Sequence, residues 1–148
     1  MVDKQKCTVT RDLYRYWQQI TARWRDNDIY GHINNTVYYS YIDSIINGYM
    51  IERNVLNPSQ GQVIGLVVES HCQFCTPLSY PALVDGGLRV EGIGTSSVGY
   101  EVGMFPKEED YPAAVGGYTH VFVDRSTKRP VPIPKNVRAA LEELTISS

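Results

Sequence analysis

An α+β fold, in which an antiparallel sheet packs on one long helix, is the architecture this sequence predicts, and three observations carry the expectation. A short alternating segment comes first, a long segment with helical apolar spacing follows, and four consecutive strand-like segments come after it. The order β, α, then β upon β excludes the regular strand–helix alternation of a doubly wound parallel sheet. At 148 residues, with 43% hydrophobic and 20% charged side chains, one domain over residues 1–148 suffices to bury a single core.

The first strand is expected over residues 20–26, because Ile20, Ala22 and Trp24 share one face while Thr21, Arg23 and Arg25 share the other. It leads into the stretch Asp26-Asn27-Asp28-Ile29-Tyr30-Gly31-His32-Ile33-Asn34-Asn35. Asn34 or Asn35 can cap the helix that follows. Along that helix Val37, Tyr38, Tyr41, Ile42, Ile45, Ile46, Tyr49 and Met50 recur at helical spacing. Ser40, Asp43, Ser44 and Asn47 keep only a narrow polar side, so other elements should wrap this helix.

Asn54, the Asn57-Pro58-Ser59 turn and Gly61 end the helix, and strand-like segments follow at 62–74, 82–93, 95–105 and 115–124. Pro77, Pro81, Gly92, Gly94 and Pro106 signal the turns between them, and Lys107-Glu108-Glu109-Asp110 reads as a solvated hairpin loop. The proline-rich run Arg129-Pro130-Val131-Pro132-Ile133-Pro134 is an extended exit to a short helix over roughly 135–145.

Composition narrows the functions open to the chain. A net charge of -2 offers no electrostatic footprint for nucleic acid, and no run of 18 apolar residues could span a bilayer. The first six residues carry no apolar leader, so the expected location is the cytoplasm, and the Asn34-Asn35-Thr36 sequon is expected to stay unmodified. Cys7, Cys72 and Cys75 make no disulfide framework. The Cys72-Gln73-Phe74-Cys75 spacing is metal-like, yet there is no second pair, and in a strand positions 72 and 75 face opposite ways. They are read as structural thiols, with His71 an ordinary strand residue and no metal site.

The polar junction at residues 26–35 can be tested against several chemistries. A calcium loop starting at Asp26 would put Gly31 sixth but Val37 where the bidentate Glu belongs. An aspartyl-phosphate motif would want Thr or Val at Tyr30 and a parallel sheet behind it. Gly94-Thr95-Ser96-Ser97-Val98-Gly99 is not a nucleophile elbow, and Gly92-Ile93-Gly94 lacks a third dinucleotide-loop glycine; both read as a hairpin turn.

Strand, Asp26-x-Asp28-x-x-Gly31-His32-x-Asn34-Asn35-x-x-Tyr38, long apolar helix and a run of strands together resemble the hotdog-fold acyl-CoA thioesterases of the 4-hydroxybenzoyl-CoA thioesterase type. Val67-Val68-Glu69 through Phe74 to Pro77, and Val121-Phe122-Val123-Asp124 to Arg129-Pro130, extend the likeness over roughly residues 18–145. It implies a curved antiparallel sheet around one central helix, a homodimer or homotetramer with active sites between subunits, and an acyl-CoA substrate without a separate cofactor.

In that family's motif the carboxylate before x-x-Gly is catalytic, which corresponds to Asp28. Asp26 continues the strand face and reads as a partner for Arg23, Arg25 or a loop amide. Asp28 is free of the strand and near the helix start, where backbone N–H groups stabilise an anion, although a turn Asp would look the same. It would act as general base on a water or attack the thioester directly, with N–H groups around Asn35 to Val37 meeting the oxyanion.

His32 would orient substrate or water, or serve structurally; Asn34 would close or cap the loop, and Asn35 would contact substrate through its backbone. Tyr38 belongs to the acyl pocket or the core, and Gly65 marks close substrate approach or a bulge. Arg125, Lys128 and Arg129 are the charge-based candidates for the coenzyme A phosphates, or a solvated turn. Hydratase and dehydratase chemistry is a second reading, although the Asp-x-Asn-x-x-His pattern it wants is not reproduced. A non-catalytic acyl-CoA-binding protein is a third.

Overall fold

The computed structural model describes residues 6–57 and 59–145. Pro58 of the expected turn, and residues 1–5 of the stretch read for a leader, lie outside them. Five strands form one antiparallel, curved sheet: β1 (Tyr16–Thr21), β2 (Val63–Phe74), β3 (Leu83–Ile93), β4 (Ser97–Pro106) and β5 (Ala114–Asp124), in the order β1-β3-β4-β5-β2. α1 (Asn35–Glu52) packs on its face, and α2 (Lys135–Glu142) follows the proline-rich exit.

The apolar stripe explains why α1 forms where it does. Tyr38, Tyr41, Ile42, Ile45, Ile46, Tyr49 and Met50 are buried against Leu88, Val102, Met104 and Phe122 of the sheet. Each such side chain contributes about 1.5–3 kcal/mol by leaving water. Two strand glycines admit the helix at this distance. A methyl at Gly86 would run into Ile45 Cδ1, and one at Gly116 would stand 2.8 Å from Ile42 Cδ1. Asn54, at φ 54°, ends the helix in the left-handed region that Asn tolerates.

The four later strands and α2 lie within a few residues of the expected segments, but the first strand does not. β1 pairs with β3 over Tyr16–Thr21, and after Ala22 the chain leaves the sheet for a tight 3-10 turn, Trp24–Asp26. Of residues 20–26, only Ile20 and Thr21 therefore lie in the strand. Ala22 is buried, whereas Trp24, expected on the same face, is 79% exposed. Arg23 and Asp26 decide this locally: the Asp26 carboxylate accepts the Arg23 N–H at 2.8 Å and its guanidinium at 2.9 Å. Closing that turn satisfies donors that a continued strand, with no partner beyond Ala82, would leave bare.

The cysteines also depart from the expectation. Cys7, on the short turn Lys6–Thr8, forms a disulfide with Cys75 just beyond β2, with Cα atoms 5.6 Å apart; only Cys72 remains a thiol. A span of 68 residues separates the partners, so no local spacing announces the pair. Among the described residues no cluster of His, Cys, Asp and Glu could hold a metal ion, and no helix is long and apolar enough to cross a membrane.

Candidate active site

Two loops build the site. The first, residues 26–34, carries the chain from the turn after β1 into α1. The second, residues 75–82, joins β2 to β3. They are laced together by Ile33 N–H to Leu78 C=O at 2.7 Å, the Ser79 hydroxyl to Gly31 C=O at 2.8 Å, and Tyr80 N–H to the Asn27 side-chain oxygen at 2.9 Å. Between them lies a cleft of about 360 Å³, within the usual range of about 300–1,000 Å³ for ligand pockets. Asp28, His32, Ile33, Asn35, Tyr38, Phe74, Cys75, Thr76 and Pro77 surround it.

Asp26 is the scaffold of the first loop. It is 1% exposed, and besides Arg23 its carboxylate accepts the Tyr41 hydroxyl of α1 at 2.7 Å, while its carbonyl accepts the Asn34 N–H. Burial pushes its pKa up, but the bonds from Arg23 and Tyr41 outweigh burial and hold it below the ordinary value. The same bond, together with burial, raises the Tyr41 hydroxyl. Asp26 is thus fully engaged and closed to substrate.

Asp28 is presented differently. Its N–H donates to His32 C=O at 2.9 Å, and its carbonyl accepts the N–H of Gly31, whose φ of 83° closes the turn. One carboxylate oxygen accepts the Tyr30 N–H at 2.8 Å; the other has no protein partner among the described residues. A carboxylate held by one oxygen and open at the other, on a cleft wall, can take a proton from water or attack a carbonyl.

Asn34 caps α1: its side-chain oxygen accepts the Thr36 N–H at 2.9 Å and hydroxyl at 2.8 Å. Val37 N–H donates to Asn34 C=O at 3.0 Å. The expected oxyanion stretch Asn35 to Val37 therefore narrows. Thr36 and Val37 spend their N–H groups on the cap, and Val37 packs toward the core away from the cleft. Only the Asn35 N–H, at the cleft, has no acceptor among the described residues.

The family model of the thioesterase-like superfamily matches residues 22–141. The chain belongs to this superfamily. Among solved structures, the PA5185 protein of Pseudomonas aeruginosa is 45% identical, with 94% of this chain and 97% of that one covered at a TM-score of 0.91. The PA2801 protein of the same species, a candidate thioesterase, is 27% identical over 86% and 98% of the two chains, with a TM-score of 0.81. A 1,4-dihydroxy-2-naphthoyl-CoA thioesterase from Synechocystis shares the fold at 13% identity, 87% and 96% coverage and a TM-score of 0.80. No curated protein matches the chain.

Within this thioesterase-like domain, Asp28, His32, Asn35 and Tyr38 meet at one cleft. His32 lies exposed on the wall. Tyr38 is both core and wall: it is buried, touches the Phe74 ring at a centroid distance of 5.2 Å, and has its hydroxyl pushed up to about 12 by burial and then by Cys72. Gly65 is elsewhere. It makes room for the buried His120 imidazole, whose Nδ1 would stand 3.0 Å from an added methyl, and the β2 bulge falls at Val68 instead.

Arg125, Lys128 and Arg129 also lie away from the cleft of their own chain. They follow Asp124, which pairs with Val63 at the start of β2, whereas the cleft lies beyond Phe74 at its far end. Eleven strand steps put the two ends on the order of 35 Å apart. Sequence reasoning missed Phe74, Cys75 and Thr76 as cleft residues. The turn signalled by Pro77 marked their place, but nothing local ties that turn to residue 28.

Proposed function

We propose that the protein hydrolyses an acyl-CoA thioester, after the manner of the 4-hydroxybenzoyl-CoA thioesterases, to a free acid and coenzyme A. The observation that carries this reading is the half-held carboxylate of Asp28, which shares a cleft with the unspent Asn35 N–H at the start of α1. Asp28 removes a proton from a water that attacks the thioester carbonyl, or attacks it directly to give a mixed anhydride that water then resolves. In either route Asn35 N–H and the helix N-terminus meet the oxyanion, and the thiolate leaves. Tyr38 and Phe74 offer the apolar wall for the acyl group, His32 orients substrate or water, and coenzyme A, as part of the substrate, leaves no cofactor to be supplied.

Assembly of two copies or more belongs to this reading. β2 pairs with β5 on one side and with no described strand on the other, and its Leu66, Val67 and Val68 are exposed. Antiparallel pairing of two such edges across a twofold axis would set residue 74 of one copy beside residue 63 of the other. That would carry Arg125, Lys128 and Arg129 of the second copy to the cleft mouth, where guanidinium groups suit the coenzyme A phosphates.

The decisive experiment is thiol release from a panel of acyl-CoAs by wild type and Asp28→Asn. Loss of an aligned catalytic group costs about 10²-fold or more in kcat. An Asp28→Asn protein with near-wild-type turnover on every accepted substrate would remove Asp28 from the mechanism.

A further inference from the structure

The Cys7–Cys75 disulfide forms part of the cleft wall, and hydrolysis would set free a thiol in that cleft. Cys75 lines it between Phe74 and Thr76, and the Cys75 and Thr76 N–H groups both donate to Ala113 C=O, at 2.8 and 3.1 Å, which holds the sulfur-bearing residue in place. Cys7 is not a lining residue and arrives from outside on the turn Lys6–Thr8, tied down by the ion pair of Lys6 with buried Glu101. Both half-cystines are only half-buried. The neighbouring Cys72 thiol is pushed up to about 12 by burial and stays protonated, so it is no competing nucleophile.

We propose that Cys75 is a thiol-exchange site for coenzyme A, a site that rests on the reading of the cleft as the place where acyl-CoA binds. The coenzyme A thiol gives up its proton and its sulfur attacks Cys75 Sγ; the Cys7–Cys75 bond breaks, a mixed disulfide between Cys75 and coenzyme A forms, and Cys7 leaves as a thiolate that takes up a proton. Two electrons pass with the broken bond, so no outside oxidant or reductant enters. Attack falls on Cys75 because it alone of the pair faces the cleft. The adduct fills the substrate's place, so accumulated product closes the site; it reopens when the Cys7 thiolate attacks Cys75 Sγ, the Cys75–coenzyme A bond breaks, the Cys7–Cys75 bond re-forms and coenzyme A leaves as a thiolate that takes up a proton.

Intact-mass spectrometry tests this on the full-length disulfide form, incubated with coenzyme A or with glutathione at equal concentration, acid-quenched and mapped without reduction. The expected result is one coenzyme A added on the Cys75 peptide about 10-fold faster than glutathione, because binding in the cleft raises the local thiol concentration. The Cys7→Ser protein, which has no disulfide to exchange, should gain nothing from coenzyme A. Equal rates for the two thiols, an adduct on Cys7 or Cys72, or no adduct at all would overturn the proposal, and the comparison of thiols in the wild type decides it without any variant. Selective adduct formation without hydrolysis of any acyl-CoA would remove the hydrolase reading and leave the exchange site; hydrolysis without the adduct would do the reverse.

Discussion

Asp26 and Asp28 stand two residues apart in one loop and meet opposite surroundings. Asp26 gathers the Arg23 N–H, its guanidinium and the Tyr41 hydroxyl around a carboxylate sealed from water. Replacing Asp26 by Asn puts an NH₂ where only donors point, so unfolding in urea should show a loss of about 2–3 kcal/mol, tempered by the half-exposed Arg23. Acid should lower the protein's stability in two stages. Burial lowers His120 to about 4, against its ordinary 6.5, with Asp43 opposing weakly. The unfolded chain therefore takes up a proton below pH 6.5 that folded His120 refuses, and stability falls by roughly 3 kcal/mol between pH 6.5 and 4. Asp26 and Glu101, both held below their ordinary values, contribute stability above those values that is lost only as pH falls further, toward about 2 for Glu101. A pH series of urea titrations should show the upper step vanish in His120→Phe and the lower one persist. The sequence offered Asp26 as a partner for Arg23, Arg25 or a loop amide, and the structure pairs it with Arg23, but the reason was incomplete: strand parity pointed Asp26 inward, whereas the 3-10 turn and Tyr41 do so.

Elements were legible where a pattern ran long. α1 shows eight apolar positions at helical spacing, and the structure buries seven of them. β1 was misplaced because its alternation continues past Thr21 into residues that turn away, and a six-residue strand leaves little pattern to outvote that. The start of α1 matters beyond stability. Asn34 holds Thr36 by two bonds and donates its own N–H to Asp26, so it sets where the Asn35 N–H points. Asn34→Ala should cost about 1 kcal/mol in urea unfolding, as cap removal does. If the Asn35 N–H serves the oxyanion, the same variant should lose kcat several-fold with KM little changed; an unaltered kcat would count against that role.

At the scale of the molecule, the sheet order leaves β2 at an edge and puts the basic turn after β5 at the end of the sheet far from the cleft. A charge on the exposed edge residue Val68, as in Val68→Asp, should yield a monomer by light scattering with its circular dichroism retained. Its KM for acyl-CoA should rise, as in Arg129→Ala, more than for a truncated thioester without the nucleotide. Equal effects on both substrates would take the arginines out of the site. Periodicity, cap chemistry and the Asp26-to-Tyr38 motif determined the fold class, the long helix and the reading of Asp28, because those signals lie within a few turns of the chain. The far wall of the cleft, the Cys7–Cys75 bond, the use of Gly65 as space for His120 and the distance of Arg125 to Arg129 were decided only by tertiary structure. Each depends on which strand lies beside which, and strand order is set by packing between residues that are distant in the chain.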